Sequence, residues 1–160
     1  MLDRMNYEDI LKIIADRYKE ILKGNLVGIY VYGSIAFNCF DHDKSSIDFI
    51  VVIKNKISTA LKEELIELLL DLNQFAPKKG FEMSVVLLEN TQNFKYQIPF
   101  ELYFSNAYIT SCRKDLTKYC ETMKGIDKDL ASHFTEIKKV GITIYGLEIN
   151  KVFSERTKDF

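Results

Sequence analysis

Residues 28–53 have the sequence GIYVYGSIAFNCFDHDKSSIDFIVVI, and this stretch decides the fold. Two short runs rich in β-branched and aromatic residues, Leu26–Tyr32 and Ile47–Ile53, stand on either side of a polar loop. Short apolar runs of this composition are typical of strands that are buried on both faces of a sheet. The stretch therefore predicts two buried strands, and the loop between them begins abruptly at Gly33 and Ser34.

Helical periodicity flanks this pair of strands. Before the first strand, apolar residues recur at steps of three and four, which predicts a helix over roughly residues 6–23. Asn6 is suited to its N-cap and Gly24 to its C-terminal stop. After the second strand, Ser58 and Thr59 can cap another helix, which ends before Pro77.

The chain after this second helix is less regular. Phe81–Leu88 predicts a third strand, and the alternation of its first residues makes one face polar near the start. In the aromatic region that follows, we expect a short helix near 99–106 and a strand near 108–112. Asp127 is expected to cap a third helix that ends at Gly141.

A short apolar strand is predicted at 142–145, and a charged tail occupies 154–160. Strands and helices are thus interspersed along the chain. This order predicts an α/β (α+β) domain at 1–153, with one mixed β-sheet and helices packed on it.

The turn at Gly33 and Ser34 is the first candidate for chemistry. A glycine allows a phosphate to approach the backbone closely, and a turn after a strand presents N–H groups and the Ser34 hydroxyl to an anion. An ordinary turn accounts for Gly-Ser equally well.

Two acidic residues near the starts of predicted strands, Asp48 and Glu82, are the second candidate. Ser46 and Asp48 share one face at the start of the second strand, because residues two apart on a strand point the same way. Glu82 on the third strand can reach that face. Carboxylate oxygens bind Mg²⁺ and can accept a proton from a hydroxyl. Taken singly, a capping aspartate and an exposed edge glutamate explain these residues too.

Together these features resemble the signature of the DNA polymerase beta type nucleotidyltransferase superfamily: Gly-Ser, a spacer, then Asp-x-Asp leading into an apolar strand. The similarity is closer to the N-terminal domain of aminoglycoside (streptomycin and spectinomycin) adenylyltransferases. It extends through FEMSVVLLEN, FKYQIPFELYFSNAY and VGITIYGLEINKVF, roughly residues 8–153.

The resemblance implies a role for each matched residue. Gly33 and Ser34 would bind the nucleotide phosphates, with Ser46 also at the nucleotide site. Asp48 would be a Mg²⁺ ligand. Glu82 would be both a metal ligand and the general base that activates the acceptor hydroxyl. The implied reaction transfers AMP from ATP to a hydroxyl of an aminoglycoside-like small molecule and releases pyrophosphate.

The chain departs from the family pattern at two points. Ser46 stands where the family has the first aspartate of Asp-x-Asp, and a neutral hydroxyl is a weaker Mg²⁺ ligand than a carboxylate. The helical C-terminal substrate domain of the family is also expected to be absent. The alternative interpretation is an inactive nucleotide-binding or partner-binding, antitoxin-like module of the same fold.

Composition restricts the other function classes. The chain has 160 residues and a net charge of −1, which gives no electrostatic basis for binding nucleic acid. The three cysteines are odd in number and fit no C-x-x-C pair, so a disulfide framework is not expected. With the lack of a long apolar run, they predict a cytoplasmic protein without a membrane span. A partner chain or self-association stays open. His42 and His133 have no second histidine at ligand spacing, so surface or structural roles are expected for them.

Overall fold

The chain alternates helices and strands, as seen in a computed structural model that describes residues 5–92 and 97–153. The predicted tail at 154–160 lies outside these residues. The helices are α1 (Tyr7–Leu22), α2 (Thr59–Leu72), α3 (Ile109–Lys114), α4 (Leu116–Thr122), α5 (Leu130–Val140) and α6 (Ile149–Val152). The strands are β1 (Leu26–Tyr32), β2 (Ile47–Ile53), β3 (Phe81–Leu87), β4 (Ile98–Phe100), β5 (Leu102–Ser105), β6 (Gly125–Asp127) and β7 (Ile142–Gly146).

The main sheet has five strands in the order β5-β3-β2-β1-β7. Strands β2 and β3 are parallel and are joined by α2, whereas the other neighbours in the sheet are antiparallel. Strands β4 and β6 form a separate two-stranded antiparallel sheet. The predicted mixed sheet is confirmed, and its central strands β1, β2 and β3 are those expected from the sequence.

Both faces of the main sheet are covered. Phe49 and Val51 of β2 belong to the core shared with α1, α2, α3 and α4. Ile50 and Val52 belong to the core shared with α5 and α6. Because alternate residues enter two different cores, the strand is apolar throughout, which explains its continuous hydrophobic sequence.

The helix caps act locally, as predicted. The Asn6 side chain accepts a hydrogen bond from Asp9 N at the start of α1, and the Ser58 side chain accepts one from Leu61 N at the start of α2. These contacts satisfy N–H groups that the first turn of a helix leaves free. Among the described helices, none has the length and apolar composition that a bilayer span requires.

The aromatic region was predicted wrongly. Residues 99–106, expected as a helix, contain strand β5 and the end of β4, because Leu102 and Phe104 are buried in alternation when β5 pairs with β3. The strand expected near 108–112 is instead the start of α3. Short aromatic runs fit either period, so pairing with β3 decides the outcome.

The start of the third predicted helix is shifted. Asp127 lies in β6, and its carboxylate accepts a hydrogen bond from Asp129 N at 2.7 Å instead of capping a helix. Helix α5 begins at Leu130 and ends at the C-cap Gly141, as expected. Its buried residues Leu130, Phe134 and Ile137 fix it on the sheet face that also carries the polar residues described next.

Candidate functional site

A row of polar side chains crosses the sheet where β1 ends and β2 and β3 begin. Tyr32 pairs with Asp48 between β1 and β2, Asp48 pairs with Glu82 between β2 and β3, and Glu82 pairs with Ser105 of β5. Paired residues on neighbouring strands project to the same face. The two predicted acidic residues are therefore side by side, on the face that α5 covers.

Gly33 lies against this row. Its backbone has φ of +76°, and a Cβ atom at this position would lie 2.3 Å from Asp48 Oδ2. Only glycine tolerates both that backbone conformation and that approach. The residue that follows β1 is thus in contact with the carboxylate of Asp48, near the start of β2.

The segment after Gly33 is a series of overlapping hydrogen-bonded turns. Phe37 N donates to Gly33 O at 3.0 Å, and Cys39 N donates to Ser34 O at 2.9 Å. The Ser34 hydroxyl is buried and, in the part of the chain that the structure describes, has no hydrogen-bond partner. A buried hydroxyl without a partner is costly, so this atom is suited to a ligand that supplies one.

Asp48 is held in a crowded, half-buried environment. The pKa of Asp48 is raised from its ordinary value of 3.8 to about 7, mainly by burial; the hydrogen bond from Ser46 opposes this shift, whereas the nearby charges of Glu82 and Glu136 add to it. Ser46 Oγ donates to Asp48 Oδ1 at 2.5 Å. The Ser46 hydroxyl therefore stabilises the negative charge of Asp48 and adds no second charge beside it.

Glu82 has two aromatic neighbours that the sequence did not identify. Tyr32 donates from its hydroxyl to Glu82 Oε1 at 3.1 Å, and His133 Nε2 of α5 lies 3.7 Å from the same oxygen. The rings of Tyr32 and His133 are stacked with centroids 4.5 Å apart. His133 is therefore part of the candidate site, and burial raises the pKa of Tyr32 well above its ordinary value, so Tyr32 stays a hydrogen-bond donor.

Glu136 is the third carboxylate near Gly33, and no motif or periodicity in the sequence indicated its role. Gly33 N donates to Glu136 Oε2 at 2.8 Å. His133 and Glu136 are one helical turn apart on α5, so both project from the same side of that helix. Helix α5 thus places His133 beside Glu82 and Glu136 beside Gly33.

A cavity of about 540 Å³ opens beside Ser46 and Glu82. Its rim includes the exposed Lys78 and Lys79 from the turn before β3. A volume of this size is typical of small-molecule sites. Glu82 and Ser105, at one end of the polar row, are therefore accessible to a ligand from this side.

The fit of a Mg²⁺ ion depends on the oxygen donors available. Within residues 5–92 and 97–153, no three side chains of the types that ligate metals are grouped closely enough to hold an ion by themselves. Asp48 and Glu82 are two neighbouring carboxylates, and Mg²⁺ in nucleotide sites is bound through one or two carboxylates together with substrate phosphates. The residues present fit a metal that arrives with its nucleotide.

Neither the protein-family models nor the curated proteins match this chain. A solved structure does: the crystal structure of spectinomycin adenyltransferase AAD(9) from Enterococcus faecialis with ATP and spectinomycin superposes with a TM-score of 0.73 at 20% sequence identity. The chain has the fold of this adenyltransferase. The match covers 92% of this chain and 59% of the adenyltransferase chain, so this chain spans less than two thirds of its length.

The comparison confirms the fold that the sequence resemblance implied. The adenyltransferase was crystallised with ATP and spectinomycin, which are ligands of that protein. The structure places four of the predicted site residues next to one another: Gly33 contacts Asp48, Ser46 donates to Asp48, and Glu82 lies beside it. Ser34 follows Gly33 in the chain, and its hydroxyl has no hydrogen-bond partner among the described residues. Their individual roles stay predictions.

Proposed function

We propose that this chain is a nucleotidyltransferase domain that binds ATP with Mg²⁺ and transfers AMP to a hydroxyl of a small molecule, with catalysis weakened by Ser46. The observation that carries the proposal is the contact of Gly33 with Asp48, which itself pairs with Glu82. This arrangement places the Gly33–Ser34 turn next to two carboxylates on one sheet face.

The Gly33–Ser34 turn binds the phosphates in this proposal. The Ser34 hydroxyl supports this step, because it is buried without a partner among the described residues and could donate a hydrogen bond to a phosphate oxygen. Asp48 and Glu82 would hold Mg²⁺, which supplies neutralisation of the triphosphate charge when bound.

Glu82 acts as the general base on the acceptor. Tyr32 donates to Glu82 Oε1, which leaves Oε2 able to accept the proton of an incoming hydroxyl. The acceptor oxygen then forms a bond to the α-phosphorus of ATP as the bond to pyrophosphate breaks. The cavity beside Ser46 and Glu82 gives that hydroxyl a route to the carboxylate.

An aminoglycoside-like acceptor is the substrate class we propose. Its support is the similarity of fold to the adenyltransferase solved with spectinomycin. We also propose a cytoplasmic location, where ATP is available and the free cysteines at positions 39, 112 and 120 would stay reduced.

Calorimetry with ATP in the presence and absence of Mg²⁺ tests binding, and pyrophosphate release with a panel of aminoglycosides tests transfer. We expect ATP binding that Mg²⁺ strengthens, and slow pyrophosphate release that depends on the acceptor. Absence of heat at millimolar ATP with Mg²⁺ would refute the proposal.

A second candidate is a non-catalytic module of the same fold that binds nucleotide or a partner chain, as an antitoxin-like protein would. Two observations favour it: Ser46 supplies no carboxylate, and the Gly33 N–H is already bonded to Glu136. ATP binding without pyrophosphate release for any acceptor, even after Ser46→Asp, would support this second function over the first.

A further inference from the structure

Helix α5 places its own carboxylate on the N–H group where a nucleotide phosphate is expected. Gly33 N donates to Glu136 Oε2 at 2.8 Å, a distance typical of a charge-assisted hydrogen bond. The two residues are 103 positions apart in sequence, so the contact is made by the tertiary fold and not by a local turn.

The helix that carries Glu136 is firmly attached to the sheet. Leu130, Phe134 and Ile137 of α5 have no exposed surface and pack in one core with β1 and β2. Gly141 ends the helix with a backbone hydrogen bond to Ile137 O. Glu136 can therefore leave Gly33 by rotation of its side chain, whereas movement of the whole helix would disrupt that core.

Charge makes this contact relevant to nucleotide binding. Glu136 is close enough to Asp48 to raise the pKa of that carboxyl, so its charge acts on the same small region. A triphosphate that enters this region meets the negative charge of Glu136, and the Gly33 N–H is already bonded to that carboxylate. Both effects oppose phosphate binding.

We propose that Glu136 lowers the affinity of this chain for nucleotide phosphates, because its carboxylate competes with a phosphate oxygen for the Gly33 N–H. The inference rests on the proposed function, since it takes the Gly33–Ser34 turn as the phosphate site. Nucleotide binding then requires the Glu136 side chain to turn away from Gly33.

Substitution Glu136→Gln tests this competition, since glutamine keeps the size and a hydrogen-bond acceptor but removes the charge. Binding of ATP, ADP and adenosine is measured by calorimetry, first in EDTA and then with Mg²⁺. We expect ATP to bind about tenfold more tightly to the variant, the change that roughly 1.4 kcal/mol produces, with a smaller gain for ADP. Adenosine, which has no phosphate, should bind both proteins equally.

Glu64→Gln is the matched control. Glu64 is exposed on α2, on the opposite side of the sheet from α5, and its substitution removes the same charge from the whole protein. The control should leave all three affinities unchanged, which separates a local effect of Glu136 from the change in net charge.

A second measurement does not require the variant to fold. In the wild-type protein, the amide resonance of Gly33 is followed by NMR while tripolyphosphate is added. We expect this resonance to shift as the phosphate replaces Glu136 on the N–H. An unmoved Gly33 resonance at saturating tripolyphosphate would overturn the inference.

The outcomes separate this inference from the function on which it rests. Equal ATP affinity of wild type and Glu136→Gln overturns the competition but leaves the proposed function standing. Weaker binding of the variant only with Mg²⁺ also overturns it, since Glu136 would then help to hold the metal. Absence of ATP binding by the wild type at millimolar ATP with Mg²⁺ refutes the proposed function, and the inference with it.

Discussion

Gly33 and Asp48 are in such close contact that a methyl group at position 33 would lie 2.3 Å from Asp48 Oδ2. The backbone of Gly33 also has φ of +76°, where a side chain is strained. Gly33, which follows β1 directly, is therefore the backbone position that contacts the carboxylate of Asp48 in β2.

Substitution Gly33→Ala should reduce the free energy of unfolding by about 1–3 kcal/mol, because the alanine adopts a strained conformation and displaces Asp48. Urea denaturation checks this value. Gly24→Ala is the control, since a Cβ atom there would have no neighbour within 4 Å. An equal loss in the two variants would contradict the close contact of Gly33 with Asp48.

The stability of the protein should depend on the charge of Asp48. The pKa of Asp48 is about 7 in the folded protein and 3.8 ordinarily, so between these values the folded state binds a proton that the unfolded state has released. Stability contributed by this carboxyl is therefore fully present below about pH 4 and is lost as the pH rises through 7.

Substitution Asp48→Asn removes this dependence. We expect the variant to gain stability over wild type as the pH rises from 4 to 8, by about 2–4 kcal/mol at the upper end. Chemical denaturation across this range measures the difference, and Asp71→Asn on the exposed side of α2 is the control. A difference that stays constant with pH would show that Asp48 is not held in a raised-pKa environment.

Substitution Ser46→Asp should place a second carboxylate beside Asp48, directly before β2. With Mg²⁺ we expect ATP to bind about tenfold more tightly and pyrophosphate release to rise, because a further anionic ligand holds the metal. Without Mg²⁺ the same variant should be less stable than wild type, because the new charge lies beside Asp48.

Ser46→Asn is the matched control for this substitution, because asparagine has the shape of aspartate without the charge. It should produce neither effect. A gain in Mg²⁺-dependent binding by Ser46→Asn equal to that of Ser46→Asp would refute a role for charge at this position.

Two tyrosines on the same face of β1 are expected to have different roles, Tyr32 in catalysis and Tyr30 in stability. Tyr32 donates to Glu82 Oε1, whereas Tyr30 donates to Leu147 O at the far end of the strand, at 2.7 Å. In the Ser46→Asp background, Tyr32→Phe should lower pyrophosphate release about tenfold, because Glu82 loses its orienting donor.

Tyr30→Phe should instead cost about 1 kcal/mol of stability and leave turnover unchanged. Thermal unfolding and pyrophosphate release are measured on both variants. Unchanged turnover in Tyr32→Phe would show that its hydroxyl does not act on Glu82 during the reaction.

Local signals made much of the fold predictable. Strands β1 and β2 have the bounds expected from their apolar runs, and Asn6 and Ser58 cap the helices they were expected to cap. These features depend on residues close in sequence. Strand β5 was missed because the alternating burial of its residues exists only when it pairs with β3.

The candidate site was predictable only in part for the same reason. Asp48 and Glu82 stand out because each is an acid at the start of an apolar strand. Glu136 and His133 come from a helix packed on the sheet about a hundred residues after Gly33, and no periodicity shows which partner they contact. Such contacts follow from tertiary packing.

The connection between β2 and β3 has a consequence for how the protein reaches its native state. Parallel neighbours cannot form as a hairpin, so Asp48 and Glu82 become adjacent only after the intervening α2 has crossed the sheet and docked. The chain between β2 and β3 must close into a loop before the two strands can pair, which costs conformational entropy. Pairing of the strands then brings together Asp48 and Glu82, which repel each other when both are ionised. We therefore expect refolding to be slower in alkaline than in mildly acidic buffer, because repulsion between the ionised Asp48 and Glu82 would slow the pairing of β2 with β3.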